Sequence, residues 1–298
     1  MSEAPLHLAV SNIAWSPDED DDVARVLRAH GVAGVELAPT KWRNDPFDAP
    51  AAAIAGLRRE WNERGFEVVS LQSLLFGHPE LQLFGSEASR ASLDAFLRRV
   101  LDFAAGVGAH AVVFGSPKNR VRDGLALERA TEVARAFLLD IAGHAAERGV
   151  AFCVEANPPG YGCDFVTTTA EAVALCRLVD HPAIRINGDL GGMTMSGEDP
   201  LRTIEMANGM IGHFHASEPQ LAELGAGDAG RGSSAHDGAT YEKSDHTRAA
   251  RGLAAIRYDR WVSIEMRAAS GASGNGENIA AVERAVRAAR SAYGSNPG

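Results

Sequence analysis

The sequence predicts an α/β chain of the (β/α)8 TIM-barrel type, and three observations carry that expectation. Eight short apolar segments recur, around residues 7–14, 33–38, 67–72, 110–115, 150–155, 184–189, 211–216 and 261–265. Amphipathic stretches of helical period separate them, as parallel strands joined by crossover helices require. At 298 residues the chain also suits one barrel, for which about 250 residues is typical.

The elements can be justified in order. The first strand runs into Ser11-Asn12-Ile13-Ala14-Trp15, which has no glycine, so the phosphate loop that would favour the alternative, an open doubly wound sheet, is missing. Ser16-Pro17-Asp18-Glu19 then combines a capping serine, a proline at the first helical position and a glutamate three residues after the cap. It starts a helix that stops at Gly31. Further helices are expected over 50–65, 86–106, 125–149, 169–179, 200–208, 245–256 and 277–293, several of them ending at glycine, which supplies a left-handed cap. Runs such as Ala111-Val112-Val113-Phe114 suit strands covered on both faces. No linker or composition change divides the chain, so residues 1–298 are expected to form a single domain, with Asn296-Pro297-Gly298 as a frayed end.

Composition narrows the function classes. Apolar residues are 45% of the chain, charged residues 23% and glycines 31 in number, within the range of globular proteins. A net charge of −10 repels phosphate backbones and acidic headgroups, which argues against nucleic acid and membrane as partners. No apolar run approaches the roughly 18 to 20 residues of a membrane span, and the first residues lack the basic start and apolar centre of a signal peptide. A cytoplasmic location is the default expectation. Cys153, Cys163 and Cys176 form an odd set without a CxxC pair, so neither a disulfide framework nor a thiolate zinc site is expected.

The chemistry gathers in the second half. Apolar runs end at Glu155, Asp189, His215 and Glu265. Burying an unpaired carboxylate is costly, so such a charge calls for a cation or a proton, and four in succession point to one shared ion. Three carboxylates and one imidazole form an oxygen-rich set that suits Mn²⁺, the expected ion, with Mg²⁺, Co²⁺ and Zn²⁺ as alternatives. A six-coordinate ion held by four side chains keeps two positions for the oxygens of a hydroxy-carbonyl compound, and its Lewis acidity stabilises an enediolate. Glu155 and Glu265 are the candidate catalytic acid and base, one on each side of a bound sugar.

The spacing from Glu155 to Asp189 is 34 residues and from Asp189 to His215 is 26, against about 31 per barrel unit. From His215 to Glu265 it is 50. The surplus is a Gly/Ser-rich stretch at about 225–244, expected to be a lid-like loop over the site.

The segments Val154-Glu155-Ala156-Asn157-Pro158, Asp189-Leu190-Gly191-Gly192-Met193, His213-Phe214-His215-Ala216-Ser217-Glu218-Pro219 and Trp261-Val262-Ser263-Ile264-Glu265-Met266-Arg267 resemble the last four strands of the sugar phosphate isomerase/epimerase family, the xylose-isomerase-like barrels that include ketose 3-epimerases. Glu36-Leu37-Ala38-Pro39 and Phe114-Gly115-Ser116-Pro117-Lys118 match less specifically. The resemblance spans nearly the whole chain. It implies a divalent metal on Glu155, Asp189, His215 and Glu265, with the two glutamates as the acid/base pair, in a metal-dependent isomerase or epimerase of a sugar or keto-polyol. The sequence departs from the 3-epimerase pattern at two substrate contacts. A histidine three residues after the metal aspartate is replaced by Gly192, and an arginine six residues after the metal histidine by Leu221. A lyase of the inosose dehydratase or carbon-glycoside cleaving kind is therefore the alternative. A phosphodiester hydrolase and a non-catalytic binding protein rank lower.

Other candidates for substrate binding are Asn157, two residues beyond Glu155; Lys118 after strand four; His213 and Glu218 around His215; Gln72 and Glu36 at the ends of strands three and two; and Arg267 beyond Glu265. Tyr161 ranks behind these, and Trp15 and Trp42 fit core packing better than a sugar-facing wall. The expected partner is a small sugar, and a homo-oligomer is compatible with the sequence.

Overall fold

A computed structural model of the protein describes residues 6–225, 244–269 and 276–294. Eight strands run in chain order: β1 His7–Ser11, β2 Gly34–Leu37, β3 Glu67–Leu71, β4 Ala111–Phe114, β5 Ala151–Glu155, β6 Ile184–Asp189, β7 Ile211–Ser217 and β8 Trp261–Glu265. All neighbours pair in parallel, and β8 closes on β1 with Leu8 opposite Val262. The expected (β/α)8 TIM barrel is therefore the fold, a single domain. Its strands are nearly continuous apolar runs because helices cover them outside while inward side chains fill the centre.

The helices are α1 Asp20–Ala29, α2 Ala51–Glu63, α3 Glu87–Val107, α4 Leu127–Glu147, α5 Thr169–Val179, α6 Leu190–Met195, α7 Pro200–Met206, α8 His246–Ala255 and α9 Glu277–Tyr293. The Ser16 capping box forms as expected, with Ser16 N donating to Glu19 Oε2 at 2.9 Å, but it opens a single 3-10 turn, Pro17–Glu19, that leads into α1. Helix α3 runs past Gly106 and takes its left-handed cap at Gly108, φ +87°. Gly106 instead lets α2 approach, since a Cβ there would lie 2.7 Å from Ile54.

Helix α6 is absent from the sequence expectation because Gly191 and Gly192 depress helix propensity. It forms because Asp189 caps it, accepting from Gly192 N at 2.5 Å, and because Gly191 lies against the Glu218 carbonyl, 2.7 Å from where a Cβ would stand. The long β7–α8 connection begins with a 3-10 turn, Pro219–Leu221; most of the predicted lid at 225–244 lies outside the described residues.

Two features bias the barrel toward its carboxyl end. Register shifts fall between Val35 and Glu36 on β2 and between Ile186 and Asn187 on β6, and such bulges re-aim side chains. Of the eight non-glycine residues with left-handed φ among the described residues, six lie in loops after strands: Ser73, Ser116, Asp123, Val166, Gln220 and Leu221. Backbone strain of this kind gathers at functional sites, which places the working end where the strands terminate.

Candidate metal centre

The last four strands deliver their terminal side chains to one point. Glu155 Oε2 lies 3.5 Å, Asp189 Oδ2 3.8 Å and Glu265 Oε2 3.1 Å from His215 Nδ1. Glu155, Asp189 and His215 each offer a ligand atom within 4.8 Å of the other two. Pairing explains the convergence: Asn187 sits opposite Glu155, His215 opposite Asp189, and Glu265 opposite Ser217. Alternation along each strand turns these side chains inward.

Glycines make room for the carboxylates. A Cβ on Gly115 would stand 2.6 Å from Glu155 Oε1, and one on Gly192 2.8 Å from Asp189 Oδ1. The second contact gives a physical reason for Gly192: the aspartate occupies the space that a side chain there would need. The turn after β7 contains Gln220 and Leu221 at φ +61° and +55°, so Leu221 is held in a conformation β-carbon residues rarely adopt.

Beneath the carboxylates, His215 Nε2 lies 3.1 Å from Glu36 Oε2. Glu36 is fully buried and also receives Ser70 Oγ at 2.6 Å, Gln72 Nε2 at 3.1 Å and His213 Nε2 at 2.9 Å. Burial alone would raise its pKa; the charges and hydrogen bonds of His215 and His213 outweigh that and hold it well below the usual carboxylate range. A carboxylate that engages one ring nitrogen fixes the imidazole and leaves the other nitrogen for a ligand. Glu36, Gln72 and His213 thus form the floor behind His215.

Of the remaining candidates, one touches a carboxylate of this centre. Asn157 donates to Glu155 Oε1 at 3.2 Å. Glu218 is buried, with Oε2 accepting from Ser244 N at 2.8 Å and Oε1 lying 3.1 Å from His246 Nε2; both oxygens are engaged away from His215. Lys118 is exposed, and its carbonyl accepts from Gln82. Arg267 is exposed, its backbone N–H donating to Leu221. Trp15 is buried, its indole donating to Asp20 at 2.7 Å, while Trp42 packs on Phe103.

Three residues acquire places that the sequence did not reveal. Arg120 belongs to the basic run after β4 that the sequence offers either as an anion contact for the substrate or as a surface turn; it is instead fully buried, donating through Nε to the Gly115 carbonyl at 2.7 Å and through Nη2 to the Glu155 carbonyl at 2.8 Å. Asn187 donates through Nδ2 to Glu155 Oε2 at 2.7 Å. Gln220 donates its backbone N–H to Tyr161 Oη at 3.0 Å, and its own Nε2 is buried without a hydrogen-bond partner. The Tyr161 phenol pKa is raised by burial and then by Asp189, Glu265 and Glu155, which marks it as a neighbour of the carboxylates. Only the apolar flank of Asn187 and the basic run at 118–120 hinted at any of this.

The donor set fits a divalent cation. Among the described residues no lysine or arginine forms an ion pair with Glu155, Asp189 or Glu265. Burial, then Glu155 and Glu265, push the Asp189 carboxyl up to about 7. The Glu265 carboxyl is also raised by burial, against the pull of His215. Burial would lower the His215 pKa, but Glu36 and Glu265 hold it well above its ordinary range. Burial with little positive charge nearby raises the two carboxyls, and a divalent ion would supply the charge that the imidazole alone does not.

The sequence profile of xylose isomerase-like TIM barrels matches residues 24–292. The chain belongs to that family. Compared by sequence with curated proteins it matches none. Among solved structures this family member is similar to a D-psicose 3-epimerase determined in the presence of D-fructose, with 17% identity, a TM-score of 0.77 and coverage of 97% of this chain and 100% of that one. The D-psicose 3-epimerase of Clostridium cellulolyticum H10, determined with D-tagatose, gives 16%, 0.76, 97% and 99%. The IolI protein, determined with a binding zinc atom, gives 14%, 0.70, 97% and 100%. At these identities the likeness is one of fold.

Proposed function

We propose that this barrel is a divalent-metal-dependent isomerase or epimerase of a sugar or keto-polyol. The observation that carries the reading is the convergence of Glu155, Asp189 and Glu265 on His215 Nδ1 at the carboxyl end of the barrel. Glu155, Asp189, His215 and Glu265 would hold the ion, with Mn²⁺ the ion best suited to the oxygen-rich set. When bound, that ion supplies Lewis acidity to a substrate carbonyl.

The chain's own groups then move the proton. Glu155 and Glu265 reach the pocket from β5 and β8, so one carboxylate takes the proton from the carbon beside the carbonyl and the other acid returns one to the opposite face. The raised pKa of Glu265 suits it to hold a proton between those steps. Asn157 keeps Glu155 oriented through Oε1. Tyr161, whose phenol neighbours the carboxylates, is a group that could meet a substrate hydroxyl.

The likeness in fold to sugar 3-epimerases supports the substrate class. The test is incubation of the Mn²⁺-loaded enzyme with a panel of ketoses and 3-keto sugars in deuterated water. The expected result is deuterium at one carbon next to the carbonyl, with no loss of a leaving group, and a fall in turnover of about 10²–10⁴-fold for Glu265→Gln. An elimination product instead would move the reaction to the lyase class, and unchanged turnover in Glu265→Gln would remove Glu265 from the chemistry.

A further inference from the structure

Asn187 is placed against the ligand atoms in a way that its own hydrogen bonding does not explain. It is 2% exposed and lies two residues before Asp189, so both side chains leave the same face of β6. The bulge between Ile186 and Asn187 sets it opposite His213 and sets Asp189 opposite His215. Its Nδ2 lies 2.7 Å from Glu155 Oε2 and 3.1 Å from His215 Nδ1, touching two of the four candidate ligands. Its Oδ1 is buried with no hydrogen-bond partner, a costly state for a carbonyl oxygen.

We infer that Asn187 is a further ligand of the bound cation: its carboxamide turns over so that Oδ1, now unpaired, replaces Nδ2 beside Glu155 and His215. The inference rests on the metal reading above. An N–H donor is what two electron-rich ligand atoms require when no cation lies between them. A cation at that point repels the N–H and attracts the carbonyl oxygen, while an oxygen turned toward Glu155 Oε2 without a cation would meet like charge. The terminal amide torsion is broad and roughly two-fold, so the two orientations interconvert without disturbing the strand. Amide oxygens also belong to the donor class that Mn²⁺ and Mg²⁺ prefer.

The test is calorimetric titration of Mn²⁺ into the metal-stripped wild type, Asn187→Leu and Asn187→Asp, with circular dichroism to establish folding. Asn187→Leu is expected to bind Mn²⁺ about 10–100-fold more weakly. Asn187→Asp keeps an oxygen and exchanges the N–H donor for a second, negatively charged oxygen, so it is expected to bind at least as tightly as the wild type. Weakened binding in Asn187→Asp overturns the inference, because the amide would then serve as a donor alone; so does unchanged binding in Asn187→Leu. If Asn187→Leu does not fold, Asn187→Asp decides by the same criterion. A wild type that takes up no Mn²⁺ overturns the metal reading itself, an outcome separate from any behaviour of the variants.

Discussion

Asp189 sits where burial, Glu155 and Glu265 all favour the neutral acid, and its carboxyl is pushed up to about 7 from an ordinary 3.8. A folded pKa above the unfolded one means that this group's favourable contribution is full below about pH 4 and is lost as pH rises through about 7. A divalent ion relieves that loss, so Mn²⁺ is expected to raise the melting temperature more at pH 8 than at pH 5.5. Calorimetric scans at the two pH values check this, and equal shifts would contradict the role given to Asp189. Arg120 makes the second prediction at this scale. Its guanidinium satisfies two carbonyls at the ends of β4 and β5, and an unpaired buried carbonyl costs about 1–3 kcal/mol. Arg120→Met is therefore expected to lose about 3 kcal/mol in urea unfolding; an unchanged midpoint would show that the carbonyls find other donors.

At the scale of elements, the eight strands and all helices except α6 were legible, because apolar runs, caps and glycine stops act locally. The convergence of Glu155, Asp189, His215 and Glu265 was legible for a related reason: each member ends an apolar strand, where a charge has no local explanation. Asn187 was not, because its meaning depends on a bulge that only pairing with β7 creates. Arg120 was not, because sequence records a charge and not the two carbonyls it faces. Glu36 and Gln72 were visible as strand ends, yet their position under His215 follows from barrel closure. The glycine beside Glu155 gives an element-level test. Gly115→Ala would bring a Cβ to 2.6 Å from Glu155 Oε1, so the strand end or the carboxylate must shift. Mn²⁺ affinity is expected to fall about 10-fold or more with the fold retained, measured by calorimetric titration; wild-type affinity would mean that Glu155 is not held where the ion needs it.

At the scale of the molecule, closure of the barrel brings together Glu155 and Glu265, 110 positions apart in the chain. The outer helices and the β8–β1 seam supply rigidity, while the carboxyl end carries the buried charge and most of the left-handed backbone. This division of labour lets one scaffold tolerate four acidic groups around one imidazole cluster. No described helix is long and apolar enough to cross a membrane. The most direct measurement is anomalous diffraction from crystals grown with Mn²⁺. The account predicts one strong peak per chain within coordination reach of Glu155, Asp189, His215 and Glu265. A fully loaded crystal with no peak there, or with its peak elsewhere in the barrel, would contradict it.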